Sequence, residues 1–126
     1  QTDFNQAQQE ARQSHKLMLL NFSGSDWCAP CIKMKRDVFE QEAFLNYAND
    51  NLVLVRADFP RLKKNQPDPD QKARNEKLAE RYNASGKFPL TLLLDEEGKV
   101  LKTWDGYSGA SPQEFITEID QSRHGK

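Results

Sequence analysis

Leu17-Met18-Leu19-Leu20-Asn21-Phe22-Ser23-Gly24-Ser25-Asp26-Trp27-Cys28-Ala29-Pro30-Cys31 is the stretch on which the reading of this chain turns. Its first six residues form a nearly continuous apolar run, which suits a strand buried on both faces. Ser23 to Asp26 supply turn chemistry, and a helix is expected to open at Cys28. Pro30 fits the first turn of that helix, where its missing N–H had no intrahelical partner to lose. Two cysteines at i and i+3 then share a helix face with Cα atoms about 5–6 Å apart, inside the range a disulfide requires. Such a pair opens and closes with little backbone movement. Cys28 meets unpaired backbone N–H groups and the positive end of the helix dipole, and both favour thiolate, the attacking species. Cys31 lies one turn deeper and is expected to be less exposed. The expected division of labour is attack by Cys28 on a partner's disulfide and resolution of the mixed disulfide by Cys31.

The chain has no other cysteine, which excludes a disulfide-stapled mini-protein. C-x-x-C is also half a zinc site, but zinc wants about four ligands. His15 and His124 are the remaining candidates, and no ligand spacing relates them. A pair of inert structural cysteines is the third reading. The strand–turn–helix context favours redox work. No metal and no cofactor is expected beyond the Cys28–Cys31 disulfide.

Outward from the motif, Phe4, Ala7 and Ala11 recur at helical spacing behind Thr2 and Asp3, predicting a helix over about 3–14. The helix after Cys28 is expected to weaken near Asp37. Another resumes from Glu42 to Ala48, with Phe44, Leu45 and Ala48 on one face. Leu52 to Val55 and Leu90 to Leu94 read as two further buried strands. Arg61 to Asp70, with two prolines and several charges, reads as a long exposed loop, with partner docking as its alternative role, before a helix over about Gln71–Tyr82 with Leu78, Ala79 and Tyr82 inward. Asp95-Glu96-Glu97-Gly98 predicts a hairpin turn into Lys99–Trp104. Ser111-Pro112-Gln113-Glu114 predicts a capping box at the start of a last helix striped by Phe115, Ile116 and Ile119. Apolar strands alternating with helices imply α/β architecture: a three-layer sandwich, its mixed central sheet covered by helices on both faces.

At 126 residues the chain is expected to form one domain, residues 1–126, with a single core. Eighteen lysines and arginines against nineteen aspartates and glutamates leave no basic excess to recruit nucleic acid. No apolar run approaches the length of a membrane span. A monomer is expected. Gln1 stands where a reading frame would start with methionine, which leaves a removed leader and a boundary of other origin both open.

With Trp27-Cys28-Ala29-Pro30-Cys31 at a strand-to-helix junction, and Lys87-Phe88-Pro89-Leu90 opening a later strand, the sequence resembles the thioredoxin superfamily from roughly Phe4 to Ile119. Met34, Val38-Phe39 and the second short helix make it similar to the extracytoplasmic members and to the C-terminal domain of the bacterial thiol:disulfide interchange protein. The resemblance implies a dithiol/disulfide exchange enzyme acting on protein thiols and disulfides, served by an upstream electron donor or acceptor. It implies a cis Pro89 against the cysteine pair, and a substrate groove edged by Trp27, Phe88, Pro89, Gly106 and Tyr107, with Ala29, Pro30 and Asn21 supporting the motif. It also implies a periplasmic or otherwise extracytoplasmic location, the cytoplasm being the alternative. Two features depart from the family pattern. The usual buried aspartate is matched by Asn21 and its lysine partner by Leu54, while the threonine after the cis-proline is matched by Leu90. Ala29-Pro30 lacks the histidine of strongly oxidising relatives, so a reductase or electron relay is expected.

Weaker expectations attach to other residues. Asp26 reads as a turn residue that could also offset thiolate stabilisation, and Trp27 as a substrate contact or as packing over the motif. Trp104 and Tyr107 read as core cover, and Lys33, Lys35 and Arg36 as a solvated helix face. A binding module using the groove without redox chemistry and a metal carrier remain the alternative functions.

Overall fold

The computed structural model describes residues 3–124, with nothing given for the side chain of His124, so that part of the zinc reading lies outside the described residues. The elements run α1 (Phe4–Ser14), β1 (Leu17–Ser23), α2 (Ala29–Met34), a π-helical turn (Lys35–Phe39), α3 (Glu42–Asn51), β2 (Leu52–Asp58), a 3₁₀ turn (Lys63–Asn65), α4 (Pro69–Tyr82), β3 (Leu90–Leu94), β4 (Val100–Asp105) and α5 (Pro112–His124). The sheet order is β2-β1-β3-β4. β1 and β2 are parallel, whereas β3 runs antiparallel to both β1 and β4. The parallel part of the sheet is therefore a single strand pair.

Period-two alternation divides the strands between two apolar layers. Met18, Leu20 and Phe22 of β1 join Val53, Val55, Ala57, Leu90, Leu92 and Leu94 under α1 and α4, where Phe4, Ala7, Ala11 and Leu78 pack. Leu19 and Leu93 turn the other way, against Met34, Val38, Phe44, Ala48, Phe115, Ile116 and Ile119. Fully burying one such side chain contributes about 1.5–3 kcal/mol. The second layer centres on aromatic contacts: Phe39–Phe44 at 5.3 Å, Phe44–Phe115 at 5.9 Å and Trp104–Phe115 at 4.7 Å between ring centroids. Helices on both faces of a mixed sheet give the expected three-layer α/β fold.

The helix ends follow their side chains. Asp3 accepts from the N–H groups of Asn5 and Gln6. The Ser111–Glu114 capping box closes at 3.0 and 3.1 Å, and the Ser111 contacts hold the Glu114 carboxyl below its ordinary range. Three local expectations need correction. Leu45 is 46% exposed rather than inward, because α3 starts afresh after the π turn and aims Phe44 and Ala48 at the core without it. α4 begins at Pro69 rather than Gln71, with the Asp68 carboxylate accepting from Gln71 N–H as its cap. β2 continues past Val55 to Asp58, and those extra residues carry the chain to the motif.

Candidate functional site

Because β1 and β2 are parallel, their C-terminal ends meet at one edge of the sheet, where α/β folds form sites. The turn leaving β1 is tied to the end of β2. Ser25 donates through its N–H and hydroxyl to the Asp58 carboxylate at 2.9 and 2.6 Å, and Phe59 N–H donates to Ser23 O at 2.8 Å. Gly24 O then accepts from the N–H groups of Trp27 and Cys28 at 3.2 and 2.9 Å, a tight turn that delivers Cys28 to the N-cap of α2.

Cys28 and Cys31 are joined as a disulfide, their Cα atoms 5.2 Å apart. Cys28 Sγ accepts from Cys31 N–H at 3.3 Å. Pro30 occupies the first turn of α2 as expected, and both it and Ala29 are exposed. At 5% and 4% exposure the two cysteines are nearly alike, so accessibility does little to separate them in the oxidised state; the cap position does. The N–H that approaches Cys28 Sγ is the group that would stabilise a thiolate there once the bond opens.

Trp27 is half-buried and held by several neighbours. Its Nε1 donates to Phe59 O at 2.7 Å, its ring meets Phe88 edge-on at 5.4 Å, and the Arg61 guanidinium lies 3.8 Å over its centroid. Gly24 makes room for the indole: a Cβ there would fall 2.3 Å from Trp27 Cε2. Phe59 also meets Phe88 at 5.6 Å. Asp26, read as a turn residue, reaches across sequence: its carboxylate accepts from Arg61 N–H, Leu62 N–H and Asn65 Nδ2 at 2.8, 3.0 and 3.0 Å. The Arg61 N–H bond is the main reason its carboxyl is held below the ordinary value. Arg61 to Asp70 is thus not simply an exposed loop. Its first half is folded onto the motif, with Gln66 Nε2 donating to Pro60 O and Leu62 O across the 3₁₀ turn.

Phe88 and Pro89 arrive through a loop closed by Asn83, whose amide donates to Lys87 O and accepts from Lys87 N–H at 2.8 and 2.9 Å. The Phe88–Pro89 peptide bond is cis, and Pro89 is buried. Gly106 N–H donates to Pro89 O at 2.9 Å, which brings the β4–α5 loop alongside. Tyr107 donates its hydroxyl to Ala110 O at 2.8 Å, and burial pushes its phenol pKa up. Gly106 and Tyr107 line a cavity of about 90 Å³ with Met34 and Trp104.

Asn21 lies on the α2 side of β1, its Nδ2 donating to the buried Thr91 hydroxyl at 3.0 Å. Leu54 does not stand opposite it. The β2 partner of Asn21 is Arg56, while Leu54 pairs with Leu19. All four border a cavity of about 170 Å³ closed by Lys35, Phe39 and Glu40. Lys35 pairs with Glu40 and Arg36 with Asp37, so two of the three cations on this helix are engaged locally. Among the described residues no group of three or more histidines, cysteines, aspartates or glutamates is placed to hold a metal. None of their helices is long and apolar enough to cross a membrane.

Sequence reasoning missed Gly24, Phe59 and the long reach of Asp26. The only available signal for Gly24 was a glycine two residues into a turn before a tryptophan.

Comparison with known proteins agrees with this architecture. A disulfide bond reductase, DsbH of Chlamydia pneumoniae, is 38% identical over 114 residues, 90% of this chain and 66% of that protein. The chain therefore spans just under two thirds of that relative's length. A solved structure of a DsbH oxidoreductase superposes with a TM-score of 0.87 at 30% identity, covering 98% of this chain and 83% of that one. The C-terminal domain of Neisseria meningitidis DsbD in its oxidised form gives 0.63 at 18% identity, over 94% and 91% of the two chains, a likeness of fold. The profile of the thioredoxin-like family matches residues 1–96, and the chain belongs to that family.

Proposed function

We propose that this protein is a thiol–disulfide oxidoreductase working as a disulfide reductase or electron relay on protein partners. The observation that carries the reading is the Cys28–Cys31 disulfide at a helix N-cap, with Cys28 Sγ already facing the Cys31 N–H. The similarity to a protein named a disulfide bond reductase supports the direction of flow.

In the reduced enzyme, the Cys28 thiolate attacks one sulfur of a partner disulfide. A Cys28–partner mixed disulfide forms, and the partner's other sulfur leaves as thiolate. Cys31, as thiolate, then attacks Cys28 Sγ. The Cys28–Cys31 disulfide forms, the second partner sulfur leaves, and two electrons have passed from this chain to the partner. A dithiol donor must return them. The two thiol protons released by Cys28 and Cys31 are balanced by protonation of the two partner thiolates. Trp27, Phe88, Pro89, Gly106 and Tyr107 edge the groove in which the partner segment lies, and Ala29, Pro30 and Asn21 support the motif. The protein acts as a monomeric single domain outside the cytoplasm, a placement supported by its resemblance to exported relatives and testable by an export-dependent reporter fused to the natural N-terminal region.

Reduction of insulin by wild type and by Cys28→Ser, each with a regenerating dithiol, tests the activity. Turnover by wild type alone supports it. Equal turnover by both, or by neither, overturns it in favour of a groove-binding module.

A further inference from the structure

The segment Arg61-Leu62-Lys63-Lys64 stands beside the motif with its three cations and one large apolar side chain all exposed, Leu62 at 48%. Its place is fixed by neighbours of Cys28: the Asp26 carboxylate holds the Arg61 and Leu62 N–H groups, and the Trp27 indole carries the Arg61 guanidinium on its face. The Asp26 carboxylate bonds backbone and amide donors of this segment and makes no ion pair with its cations. Among the described residues, no carboxylate lies within ion-pair distance of Arg61, Lys63 or Lys64, although six other cations have one. Asp68, further along, caps α4 instead. The whole chain carries a net charge of −1, so this local excess is not part of a general basic character.

We propose, on the strength of the reductase reading above, that this spur docks an acidic extended segment flanking the substrate cysteine. The chemistry fits such an occupant. Arg61, immobilised on the indole, presents a planar fork suited to a carboxylate, and two flexible lysines and Leu62 follow along one short turn. A spur already ordered by its own hydrogen bonds loses little freedom when the partner arrives. Like-charged cysteine flanks would be repelled at the same place, so the spur selects as well as attracts.

The test uses two disulfide-bonded peptides identical except for glutamates or lysines flanking the cysteine, together with a small neutral disulfide. kcat/KM is measured with a regenerating dithiol at low salt and at about 0.5 M salt, where the Debye length drops well below 10 Å. Wild type is expected to favour the acidic peptide by about tenfold at low salt, mostly through KM, and to lose most of that preference at high salt. Lys63→Glu/Lys64→Glu should reverse the preference, whereas Lys77→Glu/Lys99→Glu, the same charge change elsewhere, should keep it. Equal rates for the two peptides, or a preference that survives Lys63→Glu/Lys64→Glu, overturns the docking site while leaving the reductase reading intact. Failure of wild type to reduce the neutral disulfide overturns that reading, and the docking proposal with it.

Discussion

The loop that follows β2 and the loop that follows β4 are held in opposite ways. On the first flank, Asp26 takes three donors from residues 61–65, and Trp27 donates to Phe59 O beneath a guanidinium. On the second, Gly106 and Gly109 adopt φ of 88° and 89°, and the loop is held by Gly106 N–H to Pro89 O and by Tyr107 to Ala110 O. One wall is fastened by polar contacts across some 35 residues of sequence; the other is shaped mainly by backbone conformations that glycine adopts without penalty. An exposed loop needs no apolar core to be well placed if a charged acceptor satisfies several of its donors at once.

The largest effects are expected at the two cysteines. Cys28→Ser should abolish turnover and trap nothing, and Cys31→Ser should abolish turnover while accumulating mixed disulfides, as seen on a non-reducing gel. Faster alkylation of Cys31 than of Cys28 in the reduced protein would invert the roles and move the partner away from the Trp27 wall. Next comes Gly24→Ala, which drives a methyl into the indole and should cost roughly 1–3 kcal/mol in denaturant unfolding. Gly109→Ala meets no neighbouring atom, and its cost, roughly 1–2 kcal/mol, is backbone strain alone. With Trp104→Phe leaving Trp27 as the sole indole, only the Gly24 change should shift its emission; a shift from Gly109→Ala would show the walls to be coupled.

Asp26→Asn weakens the clamp without removing its volume, so faster proteolytic cutting within residues 61–66 is expected at neutral pH. The wild-type carboxyl is depressed, so its contribution to stability is complete above the ordinary value of 3.8 and is lost as pH falls through the lower folded value. Wild-type loop protection should therefore persist to below pH 3.8, and loss at pH 5 would remove Asp26 as its cause. The smallest change is expected from Tyr107→Phe, about 0.5–1.5 kcal/mol for one lost hydrogen bond, with Trp27 emission unaltered.

These two walls were unequally legible in sequence, and so was the fold around them. β3 occupies Leu90–Leu94 as its apolar run implied, because a strand buried on every residue writes an unbroken signal. Ser111-Pro112 signals a helix start, yet Asp68-Pro69 carries the same cap-then-proline logic and opens α4, the charges around it masking the signal. Cys28, Cys31 and Pro30 stood where local rules put them, since spacing and capping act within one turn. Asp26 could not be read in the same way. An aspartate in a turn has the same local sequence whether it bonds its own backbone or a loop 35 residues on. Register set a similar limit: that Asn21 has Arg56 as its β2 neighbour, and Leu19 has Leu54, depends on strand pairing, which no local pattern states.

The π turn at Lys35–Phe39 has a consequence of its own for how this chain tolerates change in length. A π turn carries one residue more than the α-helical path needs, so it amounts to a one-residue insertion held in place inside a helix. Deleting exposed Arg36 would let the helix close into regular α form, but every side chain between there and Glu40 would swing by about 100° around the axis. Val38 would leave its fully buried seat, and Phe39 would lose its place between Phe44 and Phe115. The apparent surplus residue is what keeps the frame of the second apolar layer.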